Sequence, residues 1–248
     1  MDINQRFKPG QPLTAEQCLL LNLAESTIRI LSLEVKTPAT AIMGYAQLLL
    51  QEKFGTLNEE QRKVLTLMEK STKHQMNMWT DMIETFQVLA HDLVLSIQNV
   101  DLREIIKEAM EDIPHSWYPK YEPGTVSIQQ SIPDNLPLLE GDPYRLRLAI
   151  TWLILETLIH ERNIKSKIQI TADHESEWVT VGLYFDHNEP VLLSFEQSPR
   201  LLASRKIIEA HQGIITSNKL DKESSSIFTV KLPVIKNHEP QSLSRGET

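Results

Sequence analysis

The sequence predicts an α+β chain: a long antiparallel helical hairpin that pairs with a second copy as a four-helix bundle, followed by a mixed α/β sandwich. Three observations carry this. Two long stretches repeat apolar residues at alternating intervals of three and four. A short break containing Gly55 separates them, and beyond residue 101 strand-like and helical segments alternate.

The first 13 residues, with Pro9, Gly10 and Pro12, read as a loose arm. Thr14 with Gln17 fits a capping box and opens a helix expected to reach about Gln51. Its seam includes Leu21, Ala24, Ile28, Leu31, Val35, Ile42, Tyr45 and Leu49, with Pro38 in one slot. Because the pattern resumes beyond Pro38, the proline is expected to kink the helix and not to end it. After Gly55, Thr56 with Glu59 supplies a second capping box for a helix expected to run to about Asp92. The second seam reads Leu65, Met68, Thr72, Gln75, Trp79, Met82, Phe86 and Leu89. A lone hairpin of this kind exposes too much apolar seam, so pairing into a homodimer is expected. The competing reading packs the same helices on the second domain.

Past residue 101 the expected order is a helix over 101–112, a proline-rich loop and a strand near 125–130. A helix from Asp142-Pro143 to about Arg162 follows, then strands at 167–172 and 178–185. A helix over 199–211, a strand near Ile214 and a last strand at 227–232 close the order. The corresponding domains are an arm (1–13), a hairpin (14–95), an α/β domain (96–235) and a polar tail (236–248) expected to be disordered.

Composition narrows the function. The chain has 248 residues, 41% of them hydrophobic, which suffices for ordinary cores. A net charge of −8 leaves no basic stripe for a nucleic-acid backbone. The single cysteine, Cys18, excludes an internal disulfide and lies in an apolar run, where a buried, inert thiol is expected. No metal-ligand spacing, Walker loop or membrane-length apolar run occurs, so no metal, no membrane insertion and a cytoplasmic location are expected.

Within the first helix, Ser32-Leu33-Glu34-Val35-Lys36-Thr37-Pro38 continues through Thr40-Ala41-Ile42-Met43-Gly44-Tyr45. Further on stand Gly141-Asp142-Pro143-Tyr144-Arg145-Leu146, the run from Arg205 to Gly213, and Phe228-Thr229-Val230-Lys231-Leu232-Pro233. In this order they resemble the sensor histidine kinases: the phosphoacceptor box, the entry to the asparagine-bearing helix, and the close of the ATP-binding domain. The likeness runs from about Ala24 to Pro233 and implies the kinase fold, with an ATPase-type second domain.

It also locates departures. Leu33 stands at the phosphoacceptor histidine and, counted in heptads from Ile28, falls at an outward position. Trp152 and Glu156 stand at the family's asparagines, the second of which resembles a magnesium ligand; a lone helical glutamate is more often a solvated or capped charge. Ile159 stands at its usual lysine. Asp186-His187-Asn188-Glu189-Pro190 replaces the first glycine box, and Ser198-Pro199-Arg200-Leu201 the second. Glycines let backbone N–H groups approach phosphate closely, so their loss argues against productive ATP binding and for no cofactor. The span from Asp186 to Ser198 is also short for a lid folding over ATP.

The resemblance then implies a two-component pseudokinase that binds a response-regulator receiver domain or a partner histidine kinase, with Leu33 and Lys36 on the docking surface. Alternatively, Glu34 and Thr37 resemble the family's Glu-x-x-Thr element for dephosphorylating regulators. On that reading the threonine hydroxyl orients water toward an aspartyl phosphate. The bland reading makes Thr37 a cap at the Pro38 kink and Glu34 a solvated charge. A histidine phosphotransfer role would fall to His74 or His91, neither of which lies in a motif.

Overall fold

The computed structural model describes residues 15–90, 93–111, 113, 127–160, 167–175, 177–185, 195, 198–217 and 226–234. The expected arm, the tail, Thr14, His91 and the 186–190 segment lie outside them, as does the side chain of Cys18. The chain divides into two compact units, Met1–Ala90 and His91–Thr248.

The first unit is the hairpin. Helix α1 (Ala15–Leu50) runs through Pro38, and α2 (Glu59–Ala90) returns along it. Between them Glu52 adopts a left-handed φ of 57° and Gly55 a φ of 130°. The Glu52 carboxylate takes an ion pair from Arg62, which fastens the turn to the first turns of α2. The capping box is not the Thr56–Glu59 pair. Asn58 Oδ1 accepts the Gln61 N–H at 2.8 Å, and Gln61 Oε1 accepts the Asn58 N–H at 3.0 Å. Both pairs have the required spacing, but α2 begins at Glu59, so only Asn58 stands at the N-cap.

The face this hairpin buries is offset from most of the seam read from the sequence, of which Thr72 is buried and Ile28, Val35, Leu49, Leu65, Trp79 and Phe86 are half-buried. On α1 it buries Ser32, Ala39 and Ala46, and on α2 Thr72, Asp81, Thr85 and Val88. The α1 line lies one residue along from Leu31, Pro38 and Tyr45. Two helices approach most closely over small side chains, and the bulky neighbours then flank the contact. Leu31, Ile42, Tyr45, Met68, Met82 and Leu89 stay exposed, Tyr45 by 68%.

The second unit is the α/β layer. Its strands are β1 (Gln98–Val100), β2 (Ser127–Ser131), β3 (Leu139–Gly141), β4 (Lys167–Glu175), β5 (Trp178–Phe185), β6 (Ile214–Ser217) and β7 (Ser226–Pro233). Its helices are α3 (Leu102–Glu111), α4 (Pro143–His160) and α5 (Pro199–Ala210). The main sheet has the order β2-β4-β5-β7-β6, with β2 parallel to β4 and the other pairs antiparallel. Among the described residues, strands β1 and β3, which the sequence did not signal, pair only with each other.

Register places the apolar residues of the sheet on one face. Ile170 pairs with Leu183 and Leu183 with Phe228; beside them run Ala172, Val181, Val230 and Ile215. All of these are buried, whereas the interleaved positions carry Thr171, Thr180 and Thr229. From Ala149 to Leu158 helix α4 is buried all round, through Ile150, Trp152, Leu153, Ile154 and Leu155, as befits the central helix between α3 and α5. By contrast α3 is strongly amphipathic and buries Leu102, Ile105, Ile106 and Ala109 on one stripe.

Candidate functional site

The residues singled out by the sequence resemblance lie in two places, one in each unit. On α1, Leu33 is 64% exposed, and Glu34 and Thr37 are exposed while Lys36 is half-buried. The four share little more than one helical turn, because residues three and four apart lie on one face. Thr37 Oγ1 donates to the Leu33 carbonyl at 2.9 Å, a back-bond of the kind hydroxyls make inside helices. Pro38 has no N–H to give the Glu34 carbonyl, so the backbone around these side chains already departs from a regular ladder. His74, on α2, is half-buried with no partner at Nδ1.

In the α/β unit, α4 presents Trp152 and Glu156 one turn apart. Trp152 is 0% exposed and belongs to the core. Glu156 is neither solvated nor a capping charge. Its carboxylate lies 3.1 Å from the guanidinium of Arg200, with the two side chains only 6% and 20% exposed. Arg200 comes from the first turn of α5, directly after Ser198 and Pro199. Ser198 makes no side-chain cap there, and Pro199 contributes no N–H, so the opening of α5 has few donors to turn outward. The sequence signals that Glu156 needs a partner, though not which one: it is a charge inside the apolar run Leu153-Ile154-Leu155-Glu156-Thr157-Leu158.

Ahead of α5, Phe195 is buried against Phe228, ring centres 5.9 Å apart, and the Arg205 guanidinium sits 3.9 Å from its ring centre. This aromatic anchor and cation–π contact fasten the approach to α5, and sequence reasoning did not single them out. Ser204 Oγ adds a donor to the Ala149 carbonyl at 3.2 Å, tying α5 to α4 again.

The entry to α4 is held by another set. Asp142 caps the helix, its Oδ1 accepting the Arg145 N–H at 3.0 Å, with Pro143 at the first helical position. Asp142 Oδ2 accepts the Ser96 N–H at 2.9 Å. The ring of His211, at the end of α5, completes it: Nε2 lies 2.9 Å from the Asp142 backbone nitrogen and Nδ1 2.8 Å from the Ile207 carbonyl. Burial holds the His211 imidazole below its ordinary pKa, against the opposing pull of the Ile207 carbonyl and the Asp142 carboxylate.

Among the described residues, no group of three His, Cys, Asp or Glu side chains is placed to hold a metal ion. Nor is any described helix long and apolar enough to cross a membrane.

Residues 12–93 match the His Kinase A (phospho-acceptor) domain. Over 236 residues the chain is 28% identical to the adaptive-response sensory kinase SasA of Prochlorococcus marinus (strain MIT 9313), covering 85% of this chain and 59% of the relative. It is 29% identical over 113 residues to the cell-division control histidine kinase PdhS of Brucella anthropi, covering 45% of this chain and 10% of that one. The chain thus spans only part of the length of these curated relatives. Among solved structures it resembles full-length ShkA in complex with AMPPNP, with a TM-score of 0.56 and 17% identity over 84% of this chain and 45% of that one. It also resembles histidine kinase ThkA in complex with response regulator protein TrrA, with a TM-score of 0.50 and 20% identity over 87% and 63% of the two chains. At such identities the structural likeness speaks for the fold. Hairpin, sheet and sequence relatives agree: this chain is built as histidine kinases are built, with a His Kinase A hairpin followed by an α/β domain resembling their catalytic domain.

Proposed function

We propose that this chain is a pseudo-histidine kinase of two-component signalling, a dimeric binding module for a receiver domain or a partner kinase that does not phosphorylate itself. The observation that carries the reading is the Glu156–Arg200 ion pair beside the wholly buried Trp152. In the family resemblance these positions belong to the nucleotide site. Here their side chains are spent on the core and on each other, so they do not fit a nucleotide with its magnesium ion. The phosphoacceptor position points the same way, since a leucine has no nitrogen to take a phosphoryl group. Dimerisation is supported by the open flank of the hairpin, where Leu31, Ile42, Tyr45, Met68 and Met82 need a cover. The exposed Leu33, with Lys36 on the next turn, offers a receiver domain an apolar anchor beside a charge. Such partners go with a cytoplasmic location.

Incubation of the purified chain with labelled ATP and Mg²⁺ tests the reading. No label is expected on the protein, and a phosphorylated receiver domain is expected to be retained by the immobilised chain. Stable label on the wild-type chain would sink it.

The exposure of both Glu34 and Thr37 on one turn supports a second reading, dephosphorylation of a docked regulator. The Thr37 hydroxyl spends its proton on the Leu33 carbonyl and keeps its oxygen lone pairs to receive a water. Loss of acyl phosphate from the receiver that Thr37→Ala abolishes is the result that would favour it.

A further inference from the structure

An open sheet edge is a template for another strand, and natural sheets guard it with lysine, proline, bulges or a covering element. Among the described residues β2 is such an edge, with β4 as its one neighbour. The strand itself carries no guard. Ser127-Ile128-Gln129-Gln130-Ser131 has no charge and no proline, and its five pairs with β4 run without a register shift. Gln129, Gln130 and Ser131 are exposed.

Beside this edge, between β2 and α3, lies a cleft of about 370 Å³. Its lining includes Gln130 and four charged residues, Arg103, Glu104, Lys107 and Asp134, two of each sign. In a chain of net charge −8 the patch is locally neutral. It favours neither an acidic nor a basic partner. A surface with both signs in equal number instead complements its own copy turned about a two-fold axis.

We propose that the β2 edge and its cleft receive a second copy of this chain, the two β2 strands pairing antiparallel. A two-fold axis normal to the sheet runs identical strands antiparallel, the direction in which such a ladder forms. It also keeps each face of the sheet on its own side, so one residue must stand opposite its own copy. At the middle of β2 that residue is Gln129 or Gln130. A glutamine amide both donates and accepts, so it bonds to its own image. A five-residue strand makes a small interface, so the association is weak and needs about 100 µM protein. A hairpin dimer carries two such edges, one per chain, so edge pairing adds a step beyond that dimer.

The test is sedimentation velocity of the full chain at about 2 and about 200 µM. The weight-average mass of the wild type is expected to rise by up to about twofold between them. Gln129→Lys with Gln130→Lys sets lysines against lysines and is expected to hold one mass at both concentrations. Gln129→Glu with Gln130→Glu is expected to do the same. Both glutamines are exposed, so both variants are expected to keep the wild-type circular dichroism. An equimolar mixture of the two variants is expected to regain the rise, since lysine then faces glutamate. Gln98→Lys with Asn99→Lys adds the same charge to β1 and is expected to rise like the wild type. Constant mass in the wild type refutes the proposal. So does a rise that survives in either β2 variant, or a mixture that stays at the mass of its parts. If one variant does not fold, the wild-type series and the other variant decide. If the hairpin does not dimerise, the mass at low concentration is that of one chain, and the step above it still tests the edge.

Discussion

The imidazole of His211 accepts the backbone N–H of Asp142 at Nε2, 2.9 Å away, while its Nδ1 faces the Ile207 carbonyl at 2.8 Å. Only the neutral ring protonated at Nδ1 satisfies both contacts. One side chain therefore joins the end of α5 to the start of α4, and through the Asp142 carboxylate to Ser96.

That geometry makes stability depend on acid. Burial lowers the His211 pKa below the ordinary 6.5, so the folded state binds fewer protons than the unfolded one as pH falls. The contribution is full above about pH 6.5 and is lost as pH falls from there through the folded-state value. The urea midpoint of the α/β unit is expected to drop between pH 7.5 and 5.5, and to drop less in His211→Gln. Equal pH dependence in both proteins would refute this role.

The C-terminal cap of α5 is built with a strained residue. Gln212 holds a φ of 58°, with its N–H bonded to the Glu209 carbonyl, while the Gly213 N–H reaches back to Ile208 at 2.9 Å. This is a Schellman arrangement, whose left-handed position favours glycine. Gln212→Gly is expected to raise stability by about 1 kcal/mol in chemical denaturation. The neighbouring Gly213 cannot be exchanged in return. A Cβ there would lie 2.7 Å from the Lys231 carbonyl oxygen and 3.0 Å from that of Ile208.

In the hairpin, Asn58→Ala removes an acceptor from the first turn of α2 and is expected to cost about 1 kcal/mol. Thr56→Ala, which touches no cap, is expected to stay within about 0.5 kcal/mol of the wild type. Helicity of the two variants followed through urea titration distinguishes them.

On the function proposed above, Leu33→His supplies a nitrogen at the position that resembles the phosphoacceptor and leaves the α/β unit unchanged. It is expected to fold like the wild type, because Leu33 is exposed, and to remain unlabelled by ATP. Label on this variant alone would mean that the second domain still delivers a phosphoryl group.

Much of the architecture was legible because it is periodic. Both long helices, β5 with its alternation of Val179, Val181 and Leu183, and α5 lie within a few residues of their expected bounds. Strands β1 and β3 were not legible, since each is three residues long and exists through pairing with the other. The Asn58–Gln61 capping box was not singled out in the sequence, where Thr56–Glu59 two residues earlier has the same spacing. At the candidate site, the outward position of Leu33 followed from heptad counting. The partnership of Glu156 with Arg200, and of Asp142 with His211, depends on α5 folding back onto α4, which local pattern does not encode.

The placement of β2 carries a kinetic consequence. Among the described residues it is an edge strand whose single neighbour, β4, runs parallel to it and follows only after β3 and all of α4. A parallel ladder of this kind closes a long loop before it gains any hydrogen bond. The amides of β2 should be the last in the sheet to become protected from deuterium exchange during refolding, and the first to trade hydrogens when the native state opens.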